Sequence, residues 1–334
     1  MKQIKLLALC VMVGALILLL NQEGFAQKVT TLKLSHGYPI THTRNIVAQK
    51  MAELAQKYSQ GRIKIEIYPA AQLYGAKEEL DALIMGSVDI TLTPSGMVTR
   101  YSPSVKIYDP PGLFPTVEAL MRFESNPEGG IKIYKTLEKR GMKVLFHMHP
   151  GSGLLYSRKP VIKVEDWAGL KIRTPVGIVY EEAIKLLGAS GIQMGASELT
   201  TALQQGMVDA VYSAMDTSLG TKWHEIVKNG TIYPYQWQAF ALVNVNRWNS
   251  LESDVKKIMD TQVIPETAAF AHKLDEEQSA KALTVYRQSG MTIYDQSKGE
   301  ELKKFIEKIK PLYKTLEKEV GKEYFELALK LASQ

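Results

Sequence analysis

The sequence predicts an α/β protein of two lobes with a cleft between them, and three observations carry that prediction. Short runs alternate apolar with polar residues, as where Ile63, Ile65 and Ile67 flank Lys64 and Glu66, which is the period of a strand. Helical segments separate the first of these runs in a β-α-β-α-β rhythm, which favours a largely parallel sheet between helices. The rhythm then breaks and resumes, with a boundary near His149 to Gly151 and no flexible linker there. Clefts between such lobes are where small molecules bind.

The elements follow in order. TLKLSH, residues 31–36, forms the first strand, and a helix runs through Asn45 to Tyr58. GRIKIEIYPAAQLYG supplies the second strand, a helix spans Lys77 to Met85, and GSVDITLTPS supplies the third strand. Residues 101–115, rich in Pro, Gly and aromatics, read as an irregular crossing. Helices around Thr116 to Phe123 and Gly130 to Lys139 lead to the strand MKVLFHMHPG. Beyond the boundary come strands at 154–158 and 170–174, a helix from Ile178 to Leu187 and the short strand GIQM. A helix through Leu199 to Gln205 ends at Gly206, before the strand VDAVYSA. After TIYPYQWQAFALVNV the chain reads as mostly helical, with Pro265 and Pro311 each expected to start or kink a helix.

The N-terminus has the form of a secretory leader. Lys2 and Lys5 precede the apolar run Leu6 to Leu20, and Gly24-Phe25-Ala26 sets small residues at the cleavage positions. Residues 1–26 are therefore expected to be a signal peptide, cut near Ala26, with the mature chain in the periplasm. The run falls short of the roughly 20 apolar residues a bilayer span needs. Cys10, the single cysteine, lies inside it, so the mature chain is expected to hold no disulfide, thiolate nucleophile or cysteine metal site. Losing Lys2, Lys5 and Glu23 takes the net charge from +6 to +5. The lysines are spread over amphipathic segments, which does not support nucleic-acid binding, and a mild positive field favours anionic small molecules.

Familiar catalytic signatures are missing. There is neither G-x-G-x-x-G nor G-x-x-x-x-G-K-[ST], and GSG at 151–153 lacks the G-x-S-x-G elbow. His147 and His149 share a strand face, but no carboxylate or third histidine stands at ligand spacing, so no metal and no cofactor are expected. No catalytic residue is assigned.

What remains is one local pattern used twice and one arginine at the end of a half-buried strand. QLYGAKEELDALIMGSVDI and GASELTTALQQGMVDAV each run from a polar or glycine turn through a short helix and Gly to Val-Asp and a strand. In open α/β sheets, ligands sit beyond the C-terminal ends of such strands. In EDWAGLKIRTPVG, Leu170, Ile172 and Thr174 alternate with Lys171 and Arg173, and the strand ends at a Gly/Pro corner. An isolated arginine there reads as a surface charge.

Taken together, SQGRIKIEIYPAAQLYG, MGSVDITL, DWAGLKIRTP, LGAS, SELTTALQQGMVDA and NRWNSL make the chain resemble the solute receptors of tripartite ATP-independent periplasmic (TRAP) transporters. The motifs run in the family's order over nearly the whole mature chain. The resemblance implies a two-lobed type II periplasmic binding protein fold, a ligand cleft between the lobes and a long helix spanning both. On it, residues 27–150 plus 239–278 make lobe I, and 151–238 plus 279–334 make lobe II.

The resemblance also implies the site. Arg173 matches the family arginine that pairs with the ligand carboxylate, for which a planar, permanently charged guanidinium is suited. Many members carry a second arginine in a G-x-R element where this chain has Gly153, and an Asn where it has Ser213. Those departures weaken a sialic-acid or dicarboxylate reading. Ser213, Tyr212 and Trp237 are expected to line the cleft with Arg173, as are His149, Ser95, Met97 and Tyr38. Tyr233, Tyr235 and Phe240 are expected in the core. The ligand expected is a monocarboxylate with an apolar or aromatic tail, or a 2-oxo or 2-hydroxy acid, captured by a monomer and delivered to the small and large TRAP membrane subunits. The rival readings are a C4-dicarboxylate receptor, a receptor of an ATP-driven importer, an exported hydrolase and a sensor for a membrane kinase.

Overall fold

The structure is a computed structural model. It describes residues 28–333 except 76, 150–151, 175–177, 195, 216–218 and 220. The expected leader, with Cys10 and its cleavage position, lies outside the described residues, as do Gly151 and the Pro175–Gly177 corner. Among the described residues, no helix is long and apolar enough to cross a membrane.

Two mixed sheets organise the chain. The first comprises β1 (Thr30–Ser35), β2 (Ile63–Tyr68), β3 (Ile90–Pro94), β4 (Met142–Met148) and, from much later in the chain, β10 (Ala239–Asn244). Their order is β2-β1-β3-β10-β4. The β-α-β-α-β opening gives parallel pairs, as expected, but β10 runs antiparallel to both β3 and β4. The second sheet comprises β5 (Ser152–Ser157), β6 (Lys171–Thr174), β7 (Ser190–Gln193), β8 (Ala210–Ala214), β9 (Asn229–Gln236) and β11 (Thr292–Asp295). Its order is β11-β9-β5-β8-β6-β7. β11 falls in the stretch read as helical; its residues are largely exposed or half-buried, so the apolar alternation that marks a strand is weak.

The chain passes between the sheets after β4, again at Trp237–Gln238 between β9 and β10, and a third time along a helix. That helix, Ile264–Gln288, contacts β4 and the helix Thr43–Tyr58 on one side and β11 on the other. Pro265 sits in its first turn, directly after the π-helical turn Met259–Val263 that accommodates the missing N–H within a continuous helical run. Pro311 lies inside the helix Gly299–Val320, which continues through it. Arg44 Nη1 donates to Asp275 at 2.9 Å, and this almost fully buried ion pair fastens the Thr43–Tyr58 helix to the spanning one.

The twice-used sequence pattern does one job twice. The helix Glu79–Met85 ends at Gly86, and the helix Ala196–Gln204 is followed by Gly206. Both glycines adopt left-handed φ values (+80° and +73°) that a side chain disfavours. The Asp three residues on then reaches the neighbouring parallel strand. Asp89 Oδ2 accepts from Lys33 N at 2.7 Å, and Asp209 Oδ2 accepts from Lys171 N at 2.8 Å. The second of these anchors the start of β6, at whose far end Arg173 stands.

Three apolar clusters form the core. One lies against the first sheet around Leu32, Met51 and Ile90, and one against the second around Leu154, Leu203 and Trp223. The largest draws residues from both sheets, including Phe240 and Leu242 of β10 and Tyr212 and Ala214 of β8. The C-terminal helix Lys322–Ala332 packs on the helix Val117–Glu124, with Arg122 donating to the Leu331 carbonyl.

A candidate ligand cleft

Strand β6 lies between β8 and β7 instead of at an edge, which removes the surface-charge reading of its arginine. Arg173 is only 8% exposed. Its Nε and Nη2 donate to the Met194 carbonyl at 3.2 and 3.1 Å, and no carboxylate pairs with it among the described residues. Burial alone pushes its pKa down to about 10. Desolvating a charge without an ionic partner is costly, and among the described residues only the Met194 carbonyl offsets that cost.

Ser213 shares a sheet face with Arg173. β6 pairs with β8 so that Arg173 stands opposite Val211, and alternation puts Ser213, two residues on, on the same side. Tyr212 projects from the other face. It is fully buried, with its ring stacked on Trp237 at 5.1 Å and 27°. Trp237 also stacks on Tyr180 (5.7 Å, 20°), while Tyr233 and Tyr235 complete the group edge-on or tilted. Tyr233, Tyr235 and Phe240 are core residues, as expected.

Around Trp237 the two sheets meet. Ser95 N donates to the Gln238 carbonyl at 3.1 Å, and the Gln238 side chain lies 3.0 Å from His149 Nδ1. Ser95 Oγ donates to Asp109 Oδ1 at 2.5 Å, and Tyr180 OH donates to the same oxygen at 3.3 Å. Asp109 lies within the irregular crossing, just after the short helical turn Pro103–Tyr108, and Tyr180 belongs to the helix Ile178–Leu186, so this carboxyl links the two halves. Burial raises its pKa to about 7, against the two hydrogen bonds. Its Oδ2, the Trp237 Nε1, the Thr174 Oγ1 and the Tyr235 hydroxyl are buried with no hydrogen-bond partner among the described residues. A cavity of about 10 Å³ beneath Tyr180, lined by Trp167, Tyr233 and Phe305 among others, has room for about one water.

Ser95, His149, Tyr212 and Trp237 thus converge at the crossover, and Arg173 and Ser213 stand together on the second sheet. Met97, in the short helix Ser95–Val98, is buried in the large apolar cluster. Tyr38 stands apart, its ring against His42 (4.5 Å) and near His36. Sequence reasoning missed Asp109, Tyr180 and Gln238. The first sits in YDPPG, where a lone acid among aromatics and prolines was the available signal. Nothing local marked the other two.

His149 brings a correction. Glu124, at the end of the helix Val117–Glu124, has one carboxylate oxygen against His147 Nδ1 and the other 3.1 Å from His149 Nε2. The carboxylate absent from the strand's own spacing is supplied by a helix more than twenty residues upstream. The two histidines outweigh burial and lower the Glu124 pKa to about 2. Burial lowers that of His147, whereas at His149 the carboxylate overcomes burial and raises it.

Residues 34–319 match the family described as bacterial extracellular solute-binding protein, family 7. The chain is 29% identical over 314 residues to the C4-dicarboxylate-binding periplasmic protein DctP of Rhodobacter capsulatus, covering 92% of each. It is 27% identical to the sialic acid-binding periplasmic protein SiaP of Vibrio cholerae, covering 91% of this chain and 94% of that one. A TRAP periplasmic solute binding protein of Shewanella oneidensis, solved with bound succinate, superposes with a TM-score of 0.84 at 22% identity, covering 91% of this chain and 99% of that one.

Proposed function

The chain belongs to family 7 of the bacterial extracellular solute-binding proteins, the substrate receptors of TRAP transporters, and from that premise we propose that it captures a small monocarboxylate between its two sheets. The observation that carries the reading is Arg173, a buried guanidinium with backbone acceptors but no anionic partner among the described residues. A ligand carboxylate would complete it with charge-assisted bonds contributing about 1.5–3 kcal/mol each. Ser213, on the same face, offers a hydroxyl to the same group.

The tail of the ligand follows from the rest of the cleft. Trp237, stacked on Tyr180 where the chain crosses between the sheets, would supply aromatic area at low entropy cost, whereas Tyr212, fully buried on the other face of β8, packs behind it. The Trp237 Nε1–H can only donate and has no acceptor, which suits an oxygen on the ligand. A 2-oxo or 2-hydroxy acid with an apolar or aromatic tail meets both demands. The receptor is exported by its N-terminal leader, lobe I is 27–150 plus 239–278, lobe II is 151–238 plus 279–334, and a monomer closes on the acid by hinge bending. It then hands the acid to the TRAP membrane subunits, with no chemistry on the way.

A second reading is a C4-dicarboxylate ligand, favoured by the name of the Rhodobacter relative. Thermal unfolding against matched monocarboxylates, dicarboxylates and their amides separates the two. A ligand at 100 times its dissociation constant adds about 2.7 kcal/mol. Stabilisation by a monocarboxylate and not its amide supports the proposal, and stabilisation by dicarboxylates alone replaces it with the second reading. A panel without effect removes the carboxylate assignment.

A further inference from the structure

We propose that Glu124, His147 and His149 form a binding site for one divalent transition-metal cation of the zinc and cobalt class. Two imidazole nitrogens and a carboxylate are a borderline donor set that selects such ions over calcium or magnesium. The three groups come from two elements, the end of the helix Val117–Glu124 and the end of β4, and their donor atoms all lie within 4.8 Å of one another.

The donors are held in place before any ion arrives. His147 is stacked on Phe240 (4.1 Å, 16°) with Tyr108 edge-on at 5.1 Å, so its ring plane is fixed. His149 has Gln238 Oε1 at 3.0 Å from Nδ1. A proton on Nδ1 donated to that oxygen leaves the Nε2 lone pair facing Glu124, and a carbonyl holding the far nitrogen is the usual support for a metal-bound imidazole. Glu124 presents one oxygen to His147 Nδ1 and the other to His149 Nε2, so the carboxylate and both rings converge on one point. A divalent cation would take the place of the protons the three groups share without the ion. Glu124 keeps 11% of its side chain exposed, against 3% and 6% for the two histidines, so an ion would enter from the carboxylate side. A bound ion would tie the Val117–Glu124 helix to the first crossing between the sheets and, through Gln238, to the second.

The site is tested by zinc titration of the untagged mature chain by calorimetry, with cobalt absorption as a spectroscopic check. His272 and Glu276 form an exposed i,i+4 pair on the spanning helix that could also bind zinc weakly, so H272A is the background throughout. One zinc per chain is expected, weakened about 100-fold or more in H149Q and in E124Q, with cobalt giving the intense visible bands of a tetrahedral site. E124Q and H149Q keep side-chain shape, and circular dichroism confirms that they fold. No saturable binding up to millimolar zinc overturns the proposal, and so does binding that both substitutions leave unchanged.

Discussion

The ring of Tyr212 fills the space that any side chain at position 153 would need. A Cβ built on Gly153 would lie 2.2 Å from the Tyr212 hydroxyl oxygen and 2.3 Å from Cε2. Gly153 pairs with Ala214 across β5 and β8, which sets the tyrosine diagonally opposite on the same face. With Tyr212 in place, position 153 has no room for a side chain in this arrangement. Gly153→Ala is expected to cost about 1–3 kcal/mol by overpacking, measured by urea unfolding. In a Tyr212→Ala background that cost should vanish, and a double-mutant cycle reads the coupling. Equal costs in both backgrounds would show that the ring yields freely.

Arg173 is predicted to matter for the ligand and little for the fold. Arg173→Met should weaken carboxylate binding by roughly 3 kcal/mol or more, about 150-fold, the worth of two charge-assisted bonds. Without ligand its stability should stay within about 1 kcal/mol of the parent, because losing the Met194 bonds is offset by removing an uncompensated charge. Calorimetry and unfolding of the same variant give both numbers. A loss of 3–5 kcal/mol without ligand, as when one partner of a buried pair is deleted, would reassign the arginine to the structure.

Asp109 should make stability depend on pH in the acid-to-neutral range. Its folded pKa, about 7, lies above the ordinary 3.8, so folding takes up a proton between those values. The contribution is largest at acid pH and is lost as pH rises through about 4 to 7. Asp109→Asn keeps an acceptor for Ser95 and Tyr180 and removes the titration. It should gain stability over the parent at pH 8, by on the order of 4 kcal/mol at most, with the gain shrinking toward pH 5. Buried Glu79, also raised to about 7, should act in the same direction and serves as an independent case through Glu79→Gln. A difference between Asp109→Asn and the parent that ignores pH would refute the assignment.

The Arg44–Asp275 pair is 2% and 1% exposed, so deleting one member strands a charge. Asp275→Ala should cost about 3–5 kcal/mol, and Arg44→Met with Asp275→Leu should recover most of it. Denaturant midpoints at a constant slope decide the matter. A single substitution within 1 kcal/mol of the parent would mean that solvent reaches the pair.

Much of this was legible locally. The alternation of Ile63, Ile65 and Ile67 gave β2, and Arg173 could be singled out because it ends a strand of clear period. β11 was not legible, since neither face of Thr292–Asp295 is well buried and alternation records burial. Glu124 was invisible as a partner of His147 and His149 because donor spacing along one strand says nothing about a helix folded over it. The bland reading of Arg173 failed for a similar reason: a four-residue strand reads the same at an edge and in the interior.

By itself the sequence determined the periods, the glycine stops at Gly86 and Gly206, the paired Val-Asp pattern and the apolar run Leu6 to Leu20. All of these follow from backbone geometry and side-chain polarity within a few residues. The tertiary structure decided which strands neighbour which, and so that β6 is interior and Arg173 has no carboxylate partner among the described residues. It also decided that Tyr212 occupies the volume over Gly153 and that Glu124 meets two histidines. Those are properties of space shared by distant segments, where burial makes a missing or gained partner cost far more than it does in water.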